Sequence, residues 1–286
     1  MDSNMLRRIA FALVAIPLLV GVVWLGEWPL AALLLVASVL GVDELFRLAQ
    51  ASGVKPLRDL GRLLAALVPL ALIMALKVPN LWIADQWGYL LIVGFLLVVG
   101  SAVFARSPSQ RPLASIAVTV FAVGYAAVLP TTAFVIRHGQ WGGRSWAGTA
   151  MLFFPLVVTW VCDSAAMLGG RAIGGPKLAP TISPAKTWAG GIAGAVGGTL
   201  TGGAYALVVF PRVHVGFGVA SALLLALALS IIGQVGDLAE SLLKREAGVK
   251  DSSTLIPGHG GVLDRLDSLY FVLPLTAAGY HLLGLI

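Results

Sequence analysis

Nine long apolar stretches, separated by short polar segments, run through the chain. A helix needs about 20 apolar residues to cross a bilayer whose hydrocarbon core is about 30 Å thick. The nine stretches are residues 9–26, 29–49, 60–77, 86–105, 113–136, 147–170, 188–210, 216–236 and 268–286. The pattern therefore predicts an all-α polytopic integral membrane protein with about nine transmembrane helices.

The first stretch begins like a secretory signal peptide, because Arg7 and Arg8 precede it. It is long for the apolar part of such a peptide. In addition, Trp24, Glu27 and Trp28 stand where a cleavage site would need small residues. We therefore expect this stretch to be retained as the first transmembrane helix.

The composition supports a protein that lies in lipid. Of the 286 residues, 58% are hydrophobic and 11% are charged, whereas soluble domains carry about 25% charged residues. The single cysteine, Cys162, excludes an intrachain disulfide and a cysteine-based metal site, and the four scattered histidines lack the HExxH spacing of a zinc site. In such a chain the net charge of +6 indicates topology and anionic lipid headgroups rather than nucleic acid.

The basic residues predict the orientation of the helices. If the N-terminus is cytoplasmic, all but four of the 19 Lys and Arg residues lie on the cytoplasmic side. The four exceptions are Lys77, Arg137, Arg144 and Arg212. This bias is what the positive-inside rule expects, so we predict a cytoplasmic N-terminus and an external C-terminus.

The chain has no long linker, low-complexity tract or clear repeat, which favours one integral-membrane domain. Within it we distinguish an N-terminal region of about five spans, residues 1–145, from a C-terminal catalytic region of about four spans, residues 146–286. Polar residues concentrate near two predicted cytoplasmic loops of the second region, 171–187 and 245–264.

Glycines recur at every fourth position of the seventh stretch, at Gly190, Gly194, Gly198 and Gly202. On a helix these residues share one face and allow another backbone to approach closely. The sequence leaves three interpretations open: a homodimer seam, a tight contact inside one chain, and a general packing face of small residues.

An aspartate in an apolar helix marks the first polar region. Asp163 ends the run LVVTWVCD, where an ionisable side chain is costly and therefore indicates a function. The loop that follows offers cations and hydroxyls among glycines and prolines: Arg171, Lys177, Ser183, Lys186 and Thr187. Such residues suit a phosphate group. An ordinary positive-inside loop also carries cations, but Asp163 favours a functional site.

The second polar region lies at the end of the eighth stretch. Four residues there have the spacing i, i+3, i+4 and i+7 and share one helix face: Asp237, Glu240, Ser241 and Lys244. The following loop adds Lys250, Asp251 and His259, and Asp264 and Asp267 open the ninth stretch. Charge pairs at a helix end are common and contribute little when they face water. Water-facing charge pairs do not explain carboxylates beside helix turns that are buried in lipid. We therefore expect Asp237, Asp264 and Asp267 to lie close together in one site.

These residue types predict the chemistry of the site. Carboxylate oxygens without cysteine suit Mg²⁺, which proteins hold with one or two carboxylates and substrate phosphates. Nearby Lys and Arg side chains suit polyphosphate oxygens. The chain has no Gly-Lys dipeptide and hence no P-loop, and no G-x-S-x-G motif of a serine hydrolase. The pattern indicates metal-assisted phosphoryl or nucleotidyl transfer.

The segment SLLKREAGVKDSSTLIPGHGGVLDRLD, residues 241–267, resembles the C-terminal signature of the phosphatidate cytidylyltransferases. The preceding QVGDLAES and the segment ISPAKTWAGG, residues 182–191, are similar to that family as well. Ala185 and Ala189 depart from the family, which commonly has Lys and often Glu at these positions.

The resemblance implies the Mg²⁺-dependent reaction of CTP with phosphatidate to give CDP-diacylglycerol and pyrophosphate. It also implies a role in phospholipid biosynthesis. We expect a bacterial inner membrane protein, because the chain is one compact polytopic domain without appended domains. The predicted topology places its active site on the cytoplasmic side. The partners would then be CTP, phosphatidate and the lipid bilayer.

We assign residue roles on this basis. Asp237 and Asp264 are expected to bind Mg²⁺, with Asp267 and Asp251 as further or indirect ligands, and the number of carboxylates allows a second metal ion. Three cations are expected on the phosphates of CTP or pyrophosphate: Lys244, Lys250 and Arg265. Arg245 and Asp251 are expected to bind a substrate. Ser183, Lys186 and Thr187 are expected on the phosphate of phosphatidate, with Asp163 shaping the site. His259 either protonates a phosphate oxygen or fixes its loop.

Two other functions compete with this one. A secondary transporter also carries intramembrane charges, but its site lies near the bilayer midplane between inverted repeats. Here the polar residues gather at one predicted face. A lipid-linked sugar or alcohol phosphotransferase would share the chemistry and differ in the acceptor.

Overall fold

A computed structural model of the chain describes residues 3–78, 82–255 and 260–286. Its long helices are α1 Ser3–Leu25, α2 Glu27–Ala51, α3 Arg58–Lys77, α4 Trp82–Ala105, α5 Pro112–Val123, α7 Trp146–Ile173, α8 Trp188–Val208, α9 Val219–Glu246 and α11 Leu269–Leu282; α6 Thr132–His138 and α10 Leu263–Leu266 are short. Within the described residues, seven helical segments are long and apolar enough to cross a membrane. The predicted all-α polytopic fold is confirmed, whereas the count of nine spans and the orientation stay predictions.

The helix α9 extends well beyond the predicted end of its apolar stretch at residue 236, to Glu246. The additional turns carry the polar face from Asp237 to Lys244, and no proline or glycine interrupts them before Gly248, which has a φ of 71°. The end of an apolar run indicates the membrane boundary, but the helix itself ends only where the backbone leaves the helical conformation. The predicted sharing of one helix by Asp237, Glu240, Ser241 and Lys244 is therefore correct.

The predicted span 113–136 contains a break. A π-helical turn, Gly124–Val128, and a 3₁₀ turn, Leu129–Thr131, separate α5 from α6. Pro130 lies in the second turn, and proline cannot donate its backbone nitrogen to an α-helical hydrogen bond. The irregular turns before it accommodate this missing donor.

The predicted loop 171–187 folds largely into a hairpin. Strand β1, Lys177–Ala179, pairs antiparallel with β2, Ser183–Thr187, so that Lys177 faces Thr187 and Ala179 faces Ser183. The sequence did not predict this hairpin, because β1 has three residues and Pro184 interrupts the β2 pattern.

The chain forms two compact units. The first comprises Met1–Leu30, Val135–Leu242 and Asp267–Ile286, and the second comprises Ala31–Phe134 and Leu243–Leu266. The predicted residues therefore fall into two groups, one in each unit. The predicted division of the chain at residue 145 concerns function and stays a prediction.

The glycine face of α8 packs inside the first unit. Gly194 lies against the Cys162 carbonyl of α7, and Gly202 lies against Ala226 of α9. All four glycines of this face are buried. The contact inside one chain is therefore the correct interpretation. A homodimer through this face is not supported, because neighbouring helices of the same unit already cover it.

Replacing Gly202 by Leu should destabilise the first unit. A Cβ at this position would collide with the Cβ of Ala226, so α8 and α9 would have to separate. We expect a loss of about 1–3 kcal/mol in unfolding free energy, as for other overpacked cores. Thermal unfolding in detergent measures it, with Ala204→Leu on the exposed side of α8 as the control. A change of oligomeric mass at unchanged stability would contradict this packing.

Candidate active site

Three aspartates of the first unit form a carboxylate cluster. Asp163 lies on α7, Asp237 on α9, and Asp267 immediately before α11. Asp237, Asp267 and Lys186 are all close enough to Asp163 to interact with it electrostatically. Three helices and the hairpin therefore bring these charges to one region.

The Lys186 side chain joins β2 to α9. Its Nζ lies 2.6 Å from Oδ2 of Asp237, and both side chains are partly exposed. The other oxygen, Oδ1, accepts a hydrogen bond from the Ser241 hydroxyl at 3.3 Å. Because the pair keeps contact with solvent, a ligand can reach both groups.

The three aspartates have oxygen donors of the kind that Mg²⁺ prefers, but they do not form a complete set of metal ligands by themselves. Within the described residues, no three His, Cys, Asp or Glu side chains are grouped tightly enough to hold a metal ion by themselves. Mg²⁺ rarely needs such a set, since one or two carboxylates, water and substrate phosphates complete its coordination. Asp163, Asp237 and Asp267 supply suitable oxygen ligands.

The structure separates the three β2 residues that were predicted to hold phosphate. The Thr187 hydroxyl is buried and accepts the Gly190 backbone N–H at 3.1 Å, so it caps the N-terminus of α8. Successive side chains of a strand point to opposite faces, which directs Lys186 toward Asp237. Ser183 lies at the other end of β2. Their predicted roles on phosphatidate remain predictions.

Asp264 fixes the loop before it in the second unit. Its Oδ1 is 2.7 Å from Nζ of Lys244, and its Oδ2 accepts the backbone N–H groups of Ser252 and Gly261, each at 2.8 Å. The Ser252 hydroxyl also lies 2.8 Å from this oxygen. Both oxygens of Asp264 therefore already accept hydrogen bonds. To bind Mg²⁺, this carboxylate would have to share or give up some of these hydrogen bonds.

The surroundings of Asp264 set its protonation. Burial by itself raises the pKa of this carboxyl. The Lys244 ammonium and the hydrogen bonds from Gly261 and Ser252 outweigh burial and hold the pKa below its usual value of 3.8. The ionised form is therefore the one that holds the loop at neutral pH.

The loop should loosen in acid. Because the folded-state pKa of Asp264 is lowered, its stabilising contribution is fully present above pH 3.8 and is lost as the pH falls through the folded-state pKa. Hydrogen exchange between pH 6 and pH 3 should show falling protection at the Ser252 and Gly261 amides. The Val249 amide, which donates to the Lys244 carbonyl, is the control. Equal loss of protection at all three amides would contradict this role of Asp264.

Glu44 of α2 holds the same loop and was missed by the sequence analysis. Its carboxylate is buried and accepts the backbone N–H groups of Val262 and Leu263, at 3.0 and 2.9 Å. It also accepts the Ser253 hydroxyl at 2.7 Å, and it shares the single Ser252 hydroxyl proton, at 2.8 Å, with Asp264. An acidic residue inside an apolar helix was the signal that could have identified it.

Asp264 and Asp267 do not share a helix, which corrects the prediction that both open the last span. Asp264 belongs to α10, which ends at Leu266, and α11 begins at Leu269. Between them, the Asp267 carboxylate accepts the backbone N–H of Ser268 at 2.6 Å. Such a local hydrogen bond competes with helix continuation and favours the break.

The remaining predicted residues lie around the loop. Four are exposed: Arg245, Lys250, Asp251 and Arg265. Arg245 donates a hydrogen bond to the Val249 carbonyl at 3.0 Å. His259 lies outside the described residues, so both interpretations of it stay open. The exposed cations have the access that a nucleotide would need.

Comparison with known proteins gives consistent matches. A model of the cytidylyltransferase family matches residues 6–283. A phosphatidate cytidylyltransferase of Haemophilus influenzae is 36% identical over 233 residues, covering 78% of this chain and 72% of the relative. One of Synechocystis is 31% identical over 297 aligned positions, covering 94% of each.

A phosphatidate cytidylyltransferase of Brucella melitensis has higher identity over a shorter region. It is 44% identical over 184 residues, which cover 64% of this chain. The match spans 62% of the length of that relative, and the same share of three further Brucella relatives.

Proposed function

The chain belongs to the cytidylyltransferase family, as its C-terminal signature predicted, and we propose that it transfers CMP from CTP to phosphatidate. An oxygen of the phosphatidate phosphomonoester forms a bond to the α-phosphorus of CTP. The bond from that phosphorus to the bridging oxygen of the β-phosphate breaks. The products are CDP-diacylglycerol and pyrophosphate, which takes the electron pair of the broken bond.

The acceptor needs little activation. A phosphomonoester has a second pKa of about 6, so phosphatidate is mostly dianionic at neutral pH. The protein has to bring two polyanions together and stabilise the pyrophosphate that leaves. No strong general base is required, which suits a site dominated by carboxylates and cations.

Each unit carries residues that we assign to a substrate. In the first unit Lys186, held by Asp237, binds a substrate phosphate. In the second, Lys250 lies on the loop fixed by Glu44 and Asp264, and we assign it to the phosphates of CTP together with Lys244 of α9 and Arg265 of α10. Arg245 and Asp251 lie near enough in sequence to contact the same substrate.

We assign Mg²⁺ to Asp237, which would share the oxygens that Lys186 and Ser241 now contact, with Asp163 and Asp267 as further candidate ligands. Asp264 keeps its predicted metal role only if it releases its present donors, and the carboxylates would suffice for a second ion in that case. When bound, Mg²⁺ would neutralise charge on the phosphate oxygens. The protein's own contribution is to orient the carboxylates and to hold Lys186 beside them.

The location belongs to the same proposal. We place the chain in a bacterial inner membrane, with its N-terminus and its active site on the cytoplasmic side, where CTP is available. The excess of Lys and Arg in the loops of that face supports this orientation.

The grouping of Lys186, Asp163, Asp237 and Asp267, in a chain of this family, carries the proposal. The acceptor specificity is tested with purified protein, CTP, and either phosphatidate or polyprenyl phosphate. We expect a product with phosphatidate alone. A product formed only with polyprenyl phosphate would favour a lipid-linked sugar or alcohol pathway. Substrate uptake into proteoliposomes without any covalent product would favour a transporter.

A further inference from the structure

A cavity of about 590 Å³ lies in the second unit, where the turn after α2 leads into α3 and α4 ends. Its polar lining consists of Gln50, Lys55, Arg58, Asp59, Ser101 and Arg106. None of these residues belongs to the loop between α9 and α10. The cavity is therefore separate from the loop that carries Lys250.

Arg106 places a fixed positive charge at this cavity. Its guanidinium donates to the backbone carbonyls of Lys55, Pro56 and Ala105, at 3.1, 2.7 and 2.7 Å. These bonds hold the side chain in position without neutralising it. In the part of the chain that the structure describes, Arg106 and the exposed Lys55 form no ion pair with a carboxylate.

The charge of Arg58 is only weakly compensated. Its Nη2 lies 4.0 Å from Asp43, a carboxylate that Arg47 and Arg62 already bind more closely. The buried Nε of Arg58 has no hydrogen-bond partner among the described residues. Asp59 is the one carboxylate in the cavity lining, against three cations. The cavity therefore has a positive excess.

Apolar groups adjoin these cations. Leu57, Leu60 and Ala105 also line the cavity, and Phe104 on the same end of α4 is 92% exposed. In a membrane protein, a large exposed apolar side chain next to a basic pocket suits the boundary between acyl chains and headgroups. A ligand with a phosphate and an apolar tail matches both surfaces.

We propose that this cavity binds the phosphate of an anionic phospholipid headgroup. Lys55 and Arg58 donate to the phosphate oxygens. Arg106, whose Nε and Nη2 hydrogens already bind protein acceptors, adds its charge and one Nη1 hydrogen. The apolar rim contacts the glycerol and the first methylenes. The site goes beyond the proposed transfer reaction, which requires none of these residues. A free phosphate ion shares the same chemistry, and the experiment separates the two sources.

The test measures equilibrium binding to the full-length protein in a neutral detergent by titration calorimetry. The probes are dihexanoyl phosphatidylglycerol, dihexanoyl phosphatidylcholine and inorganic phosphate. The variant Lys55→Glu reverses one lining charge, and Arg111→Glu reverses one exposed charge outside the lining. Both variants change the net charge equally, and neither position forms an ion pair among the described residues.

We expect the wild type to bind phosphatidylglycerol more tightly than phosphatidylcholine. Lys55→Glu should raise the Kd for phosphatidylglycerol about tenfold, while Arg111→Glu should change it less than about twofold. If inorganic phosphate bound as tightly as phosphatidylglycerol, and Lys55→Glu weakened it equally, the ligand would be soluble phosphate and not a lipid headgroup. Equal effects of the two variants, or no effect of Lys55→Glu, would overturn the site itself.

Discussion

Replacing Asp237 by Asn should reduce kcat/KM for the transfer of CMP to phosphatidate by at least about 1,000-fold, or ~4 kcal/mol of transition-state stabilisation. The carboxylate pairs with Lys186 at 2.6 Å and lies in the cluster with Asp163 and Asp267. A neutral amide of the same size does not attract the lysine by charge, and it binds Mg²⁺ much more weakly than a carboxylate does. Initial rates with purified variants, at varied CTP and phosphatidate, measure the loss.

The matched control removes a carboxylate from the same helix. Glu246 is exposed at the end of α9, and Glu246→Gln should retain nearly full activity. Circular dichroism and gel filtration should show that Asp237→Asn remains helical and monodisperse. Near-normal turnover by Asp237→Asn would show that its carboxylate is not part of the reaction.

Replacing Glu44 by Ala should cost about 100-fold in kcat/KM, although we assign this residue no contact with substrate. Its removal leaves the N–H groups of Val262 and Leu263 without their buried acceptor, and each such loss costs about 1–3 kcal/mol. We expect the loop to leave its position. Lys250 lies on this loop and Arg265 follows it in α10, and both are proposed to bind CTP. The KM for CTP should therefore rise more than the KM for phosphatidate.

Glu44→Gln is the conservative variant, because it keeps one acceptor oxygen and should recover part of the CTP affinity. Glu246→Gln again controls for the loss of one negative charge. Equal increases in the two KM values would indicate general destabilisation instead of loop positioning. A normal KM for CTP in Glu44→Ala would contradict the positioning role.

Hydropathy was sufficient to locate the helices, because lipid imposes a long apolar run on each span. The predicted stretch 188–210 corresponds to Trp188–Val208, and 60–77 to Arg58–Lys77. Hydropathy did not predict the ends of helices that continue past their apolar run or stop before it. The helix α9 continues beyond its apolar run to Glu246, and α11 ends at Leu282, short of the predicted residue 286.

The sequence predicted which types of residue form the site, but it did not predict most of the contacts between them. The cost of a charge in an apolar helix identified Asp163 and Asp237. The structure places Asp163 within electrostatic range of Asp237 and Asp267. The contact of Glu44 with Ser252 joins residues 208 positions apart, which no local periodicity reveals. The partners of Asp264 depend on the turn at Gly261, which spacing alone does not determine.

The proposed transfer is tested most directly by following two phosphates of CTP separately. Purified protein is incubated with phosphatidate and Mg²⁺, and with CTP labelled with ³²P at either the α- or the γ-phosphate. We expect the α-label to enter the chloroform-soluble lipid and the γ-label to appear in water-soluble pyrophosphate, and we expect chelation of Mg²⁺ to stop both. The γ-label in lipid, or no label in lipid at all, would contradict the proposed transfer.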